Sequence, residues 1–264
     1  RSRSPVAGLQ RAQLTFTQVL GQSVSAVAPS AVMVTLPALV LPAAGHATIA
    51  VFVLTALMMT AVGYCITQFS TRMVAVSGLY SYTVKGLGPV PGIAAGWSLV
   101  IGYAAAAMAS ALGAASYLAT LLGRVGVPAG KPVIAGLSVL VGGAALILMT
   151  RGIRLSARIS LAVELFAIVV AGVVLMIAFG GAVTGSAASS KTVADAPHSA
   201  LGFALLLAIT SYVGFESAST VAREAQRPFV TVTRAIRWTP LALGALYTFA
   251  AVLQTTGTIQ TRTG

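Results

Sequence analysis

The amino-acid sequence predicts an all-α membrane protein, and three observations carry this prediction. Of the 264 residues, 57% are hydrophobic and only 8% are charged, whereas a soluble domain carries about 25% charged residues. The apolar residues form runs of about twenty, the length that crosses a hydrocarbon core as a helix. These runs do not alternate with polar residues, as membrane-spanning β-strands do. We therefore expect a single transmembrane domain over residues 1–264.

Apolar runs separated by helix breakers predict seven spans. Glycine and proline mark the joints, as at Gly88-Pro89 and Pro128-Ala129-Gly130. The polar stretch from Thr184 to Ser199 is predicted to be an exposed loop. The predicted spans cover roughly residues 17–42, 47–69, 92–122, 132–150, 158–181, 200–221 and 239–258.

The basic residues predict the orientation of these spans, because lysine and arginine concentrate in cytoplasmic loops. With the N-terminus inside, twelve of the 16 basic residues are cytoplasmic, namely Arg1, Arg3, Arg11, Arg72, Lys85, Arg151, Arg154, Arg158, Arg223, Arg227, Arg234 and Arg237. The other four are Arg124, Lys131, Lys191 and Arg262. We expect a multi-pass protein of the plasma (inner) membrane, with a cytoplasmic N-terminus and the C-terminus of this chain outside.

This orientation also bears on the classes of protein to consider. Seven-helix receptors and rhodopsins place the N-terminus outside, and no lysine for retinal lies between Thr239 and Gly257. The net charge of +12 is explained by cytoplasmic loops and forms no continuous stripe, so we expect no nucleic-acid partner.

The first predicted span contains Pro29, which removes one backbone hydrogen bond and clashes with the preceding turn. A kinked helix is one interpretation. The other is a true break over Ala28 to Ala31, since freed backbone groups at membrane depth are tolerated beside a cavity or against protein. The sixth span places Gly214 beside Glu216. Two discontinuous helices five spans apart indicate a transporter built from inverted repeats.

Glu164 and Glu216 fall inside the fifth and sixth predicted spans. A carboxylate at this depth usually faces a cavity or a partner. One interpretation is a hydrogen-bonded acid that locks helix packing. The other is a proton-coupling residue, neutral when dry and charged when water enters.

At these residues the sequence resembles the amino acid–polyamine–organocation permeases. The segment Gly214-Phe215-Glu216-Ser217-Ala218-Ser219 is similar to the family's sixth-helix motif, and Glu224 to Ile236 is similar to the loop that follows it. A second similarity runs from Ser77-Gly78-Leu79-Tyr80-Ser81-Tyr82 to Gly88-Pro89. The sequence departs from the family where Ala28-Pro29-Ser30-Ala31 replaces a glycine-rich break.

The resemblance implies a LeuT-type inverted-repeat fold with two repeats of five helices. Seven spans would supply the first repeat and the first two helices of the second, so we expect a truncated permease. It also implies secondary active transport of an amino acid or amine, as a symporter or antiporter. An alternative is a non-transporting half-permease that acts as a structural or regulatory partner.

An amino-acid zwitterion needs donors for its carboxylate and acceptors for its ammonium, and a broken helix supplies both. We expect the carboxylate at the amides of Ser30, Ala31 and Val32, and the ammonium at carbonyls near Ala28 and Val213. Aromatic side chains are predicted to form walls or gates, with ordinary packing as the alternative. The predicted substrate site comprises Ala28, Pro29, Ser30, Ala31, Val32, Tyr103, Tyr212, Val213, Gly214 and Phe215.

The coupling ion is predicted to be a proton carried by Glu216 or Glu164, with sodium as the alternative. The sequence contains no redox, phosphate-binding or metal-binding motif, so we expect no cofactor and no metal. His46 and His198 lie near loops without partners for acid–base chemistry, so we do not expect an enzyme. The expected partners are a small-molecule substrate, the coupling ion and the lipid bilayer.

The predicted topology can be tested by cysteine labelling of intact cells in a Cys65→Ser background. A cysteine at Ser189 should react with an impermeant reagent from outside, and a cysteine at Ser156 should react only after permeabilisation. The reverse pattern would show that the orientation inferred from the basic residues is wrong.

Overall fold

The computed structural model describes residues 14–75, 77–126, 130–150, 153–183 and 200–263. Its elements are the α-helices α1 (Phe16–Val27), α2 (Pro29–Ala44), α3 (Thr48–Ser70), α4 (Leu79–Leu87), α5 (Pro89–Arg124), α6 (Lys131–Thr150), α7 (Ile153–Val183), α8 (Leu201–Thr210) and α9 (Pro228–Thr263). Short 3-10 helices cover Gly45–Ala47 and Phe215–Ser219. The chain forms two compact units, Arg1–Gly78 with Ala157–Gly264, and Leu79–Ser156. The predicted loop from Thr184 to Ser199 lies outside the described residues.

Six described helical segments are long and apolar enough to cross a membrane, which supports an all-α membrane protein. The first, Phe16–Ser70, has 55 residues and contains both the first and the second predicted spans. At 1.5 Å per residue this many residues amount to about 80 Å of helix, more than twice the thickness of a hydrocarbon core, which is enough for two spans. Its 3-10 helix falls between the two predicted spans. The other segments are Pro89–Arg124, Lys131–Thr150, Arg158–Gly181, Leu201–Ser219 and Pro228–Thr255.

The core of the first unit is built on the antiparallel contact between α3 and α9. A Cβ added to Gly244 would lie 2.6 Å from the Cβ of Ala56, and one added to Gly63 would lie 3.1 Å from the Cγ of Pro240. Small residues let membrane helices approach closely where no hydrophobic force drives them together. The hydroxyl groups of Ser70 and Thr233 complete this interface at 2.9 Å.

The helix α9 begins earlier than the sequence predicts. We expected a loop up to about residue 238, but α9 starts at Pro228 and continues through the internal Pro240. Proline is well suited to the first helical position, because the first N–H of a helix has no acceptor inside the helix. The amide nitrogen of Gln254, near the other end of α9, donates to the carbonyl oxygen of Met33 in α2 at 2.8 Å.

The second unit places the short helix α4 against the start of α5. A Cβ on Gly92 would lie 2.2 Å from the Cγ2 of Val84, and one on Gly96 would lie 3.0 Å from the ring of Tyr80. Gly88 joins the two helices with a φ of 97°. The helix α4, which carries most of the second motif, therefore forms a helical hairpin with the start of α5.

Much of the described surface is apolar, as a lipid environment requires. In α7, Glu164 is the one buried residue between Arg158 and Gly181, while Phe166 and Ile177 are 71% and 69% exposed. The only side chain that this helix buries deeply in that range is thus a carboxylic acid.

Candidate functional site

The first helix break is a single residue in left-handed conformation. Ala28 has φ 52° and ψ 58° and is the one non-glycine residue with positive φ in the described part of the chain. An L-residue there costs about 1 kcal/mol or more. The Ala28 N–H donates to the carbonyl of Val24, which closes α1.

The break is narrower than the predicted one over Ala28 to Ala31. Pro29, Ser30 and Ala31 already form the first turn of α2. Pro29 occupies the first helical position, where its fixed φ suits the helix and its missing N–H costs nothing. One left-handed residue is therefore enough to redirect the chain.

The second break follows α8, which ends at Thr210. The chain then turns through Gly214, with φ 106°, into the 3-10 helix Phe215–Ser219. A Cβ on Gly214 would lie 2.9 Å from the carbonyl oxygen of Ala26. Glycine is needed here both for its backbone conformation and for this close approach. We call Ala28 and Gly214 the paired breaks, since Gly214 touches α1 two residues before Ala28.

Hydrogen bonds from α1 hold the 3-10 helix in place. The fully buried hydroxyl of Ser23 donates to the Phe215 carbonyl at 2.8 Å and accepts from the Ala218 N–H at 3.2 Å. The Ser217 hydroxyl donates to the Gln22 carbonyl at 3.1 Å. A 3-10 helix leaves some backbone groups without helical partners, and α1 supplies partners for two of them.

Two backbone hydrogen bonds, which we call the clip, join the residue range before α1 to the range after the 3-10 helix. The Leu14 N–H donates to the Glu224 carbonyl at 2.8 Å, and the Gln226 N–H donates to the Leu14 carbonyl at 3.0 Å. Gly78 lies against the same region, because a Cβ on it would be 2.4 Å from the Ser219 hydroxyl oxygen. The Ser77-Gly78 motif thus packs against the sixth-span motif.

The two membrane-depth acids are both buried, with Glu164 8% and Glu216 7% exposed. Glu164 accepts the backbone N–H of Ser30 at 2.6 Å, so it lies at the start of α2. Glu216 lies in the 3-10 helix, where its own carbonyl accepts the Ser219 hydroxyl at 2.7 Å. Each acid is therefore beside one of the paired breaks.

The amides that we expected to bind a carboxylate are already in use. The N–H groups of Ala31 and Val32 donate to the Ala28 carbonyl at 3.1 and 3.3 Å. That carbonyl was expected to accept an ammonium, and the structure gives it these two backbone donors. The Ser30 N–H is bound to Glu164.

The residues predicted to line the site differ in their exposure. Tyr212 and Phe215 are 0% and 3% exposed, whereas Val213 is 46% exposed. Tyr212 packs edge-to-face on Tyr247 of α9 with ring centroids 5.5 Å apart. Its hydroxyl has no hydrogen-bond partner among the described residues. Tyr103 belongs to the second unit, and its role at the site stays a prediction.

Sequence reasoning missed several residues that shape this region. Tyr247 donates its hydroxyl to the Ser211 carbonyl at 3.2 Å and interacts electrostatically with Tyr212 and Glu164. Ser23 and Ala26 form the α1 side of the paired breaks. Gln22 and Ser23 could have been found from the sequence, since polar residues within a predicted membrane span indicate a hydrogen-bonding role. Within the described ranges, no three His, Cys, Asp or Glu side chains group closely enough to hold a metal ion.

A sequence profile described as amino acid permease matches residues 10–258 of the chain. The match covers α1 to α8 and α9 as far as residue 258, and it extends beyond the paired breaks on each side. Comparison with curated protein sequences gives no match.

The role of Ser23 can be tested against Ser25, two residues further along α1. Ser23→Ala leaves a buried carbonyl and a buried N–H without this hydroxyl partner, so we expect a loss of about 1–3 kcal/mol in the free energy of unfolding. Ser25→Ala should change it by much less, because the Ser25 hydroxyl bonds only to Gly21 within α1. Thermal unfolding in detergent measures both variants. Equal losses would show that Ser23 does not hold the two segments together.

Proposed function

The chain belongs to the amino acid permease family, and from this premise we propose that it carries an amino acid or a related amine across the plasma membrane by secondary active transport. The single observation that best supports a binding site is the contact between the paired breaks. Discontinuous helices that meet at membrane depth expose backbone dipoles that can bind a charged small molecule. We propose the LeuT-type inverted-repeat arrangement for its fold.

The proposed substrate site lies beside Ala28, Pro29 and Ser30 on one side and Tyr212 to Phe215 on the other. Val213 is the exposed member of this second segment, and the buried Tyr212 hydroxyl has no hydrogen-bond partner in the part of the chain that the structure describes. Backbone groups would bind the part common to all substrates, and the side chains would distinguish among them. Ala31 and Val32 complete the proposed site.

Counterflow with the full-length protein in proteoliposomes tests this function. Vesicles preloaded with each of the twenty amino acids and with common polyamines should exchange at least one of them with labelled external substrate. The empty vesicle is the control. No exchange for any member of this panel would contradict the proposal.

Glu216 is the proposed proton carrier. It is buried, it lies two residues after Gly214, and the bonds to Gln22 and Ser23 hold its segment against α1. A carboxyl group at such a place usually faces a cavity or a partner, which would let water and protons reach it. Protonation from one side and release to the other would couple a proton gradient to substrate movement.

Glu216→Gln keeps the shape of the side chain but removes its titration. We expect the full-length variant to retain exchange while it loses accumulation against a gradient and the pH dependence of uptake. Glu224→Gln is the matched control, since Glu224 lies on the clip outside the paired breaks. Undiminished accumulation with an unchanged pH profile in Glu216→Gln would assign the coupling to another group or to sodium.

A further inference from the structure

The start of α2 has a single backbone donor that lacks an acceptor within the helix. Pro29 has no N–H, and the N–H groups of Ala31 and Val32 donate to the Ala28 carbonyl. The remaining donor is the Ser30 N–H, which is bound to an oxygen of Glu164 at 2.6 Å. The protein's own carboxylate therefore occupies the position at which the carboxylate of an amino acid would be expected to bind.

Glu164 is placed there by α7, in which it is the one buried residue between Arg158 and Gly181. The positive end of the α2 dipole stabilises an anion at this point. No charged residue occurs in α2. Among the described residues, the structure shows no salt bridge to Glu164 and no hydrogen bond to it besides that from Ser30.

We propose that Glu164 is the counter-ion of the substrate's ammonium group, so that the protein recognises a protonated primary amine and does not require a carboxylate on it. This inference rests on the proposed transport function. One oxygen of Glu164 is held by Ser30, and the other accepts from the substrate. The start of α2 then binds the positive end of the substrate, where the sequence suggested its carboxylate.

The alternative polarity is unfavourable for a physical reason. A substrate carboxylate at Ser30 must displace Glu164 and leave a buried acid without its donor, which costs more than an ordinary hydrogen bond gains. An ammonium group leaves the bond from the Ser30 N–H to Glu164 in place. It brings three donors to a carboxylate that is already oriented, and it supplies the positive charge that the described surroundings lack.

Ligand binding to the full-length protein in nanodiscs tests the proposal without any substitution. The panel contains each of the twenty amino acids together with its decarboxylated amine and its N-acetyl derivative, and dissociation constants are measured by calorimetry. For the amino acid that binds most tightly, we expect the amine to bind at least as tightly. The N-acetyl derivative should bind at least about tenfold more weakly, because it has lost the charged amino group. An amine tenfold weaker than its parent amino acid would overturn the proposal.

Glu164→Gln keeps an acceptor for the Ser30 N–H and removes the negative charge. We expect it to weaken the binding of amino acids and amines alike by at least about tenfold, while Glu224→Gln leaves both unchanged. Thermal unfolding verifies that the variant is folded. Unchanged binding, or tighter binding of amino acids alone, would overturn the counter-ion role, the latter because Glu164 would then compete with the substrate carboxylate.

The result also separates this inference from the proposed function. If an amino acid shows counterflow but any of the overturning binding results is found, the transport function stands and the counter-ion role of Glu164 is wrong. Failure of every ligand both to bind and to exchange overturns the two together.

Discussion

The close approach of Gly214 to the backbone of Ala26 is the contact on which the arrangement of the candidate site depends. A Cβ at this glycine would lie 2.9 Å from the Ala26 carbonyl oxygen, so a larger residue would force the two segments apart. Once the backbones touch, the Ser23 hydroxyl reaches both Phe215 and Ala218. The left-handed Ala28 and the turn at Gly214 are separated in sequence by a stretch that includes the whole second unit, and this contact makes them neighbours.

The helices around this contact supply the rigidity that it needs. Gly63 of α3 packs on Pro240, and a Cβ on it would also lie 3.6 Å from the ring of Phe215. The α3–α9 interface and the 3-10 helix are thus in one packed layer. Because small residues dominate that interface, the helices are held by close backbone approach and by hydroxyl groups such as Ser70 and Thr233.

The hydrogen bond between Glu164 and the start of α2 is a second contact that organises the site, and it is electrostatic. Between Arg158 and Gly181, α7 buries only Glu164, and this side chain extends to the Ser30 N–H. An anion at the start of a half-helix satisfies a donor that would otherwise be unpaired at membrane depth. The acid therefore both fixes α7 and determines the charge that a substrate meets at the first break.

The sequence by itself determined the membrane-spanning character, the approximate spans and the positions of both breaks. Apolar runs of about twenty residues match the length of a helix that crosses a membrane. Pro29 and Gly214 interrupt their helices through local backbone chemistry. Local chemistry also explains why the predicted first break was too wide, because proline at a first helical position restarts the helix at once. Tertiary structure alone decided that Ala26 meets Gly214 and that Tyr247 joins the site. It also decided that Glu164 takes the Ser30 N–H, since these contacts join residues far apart in the chain whose spacing carries no periodic signal.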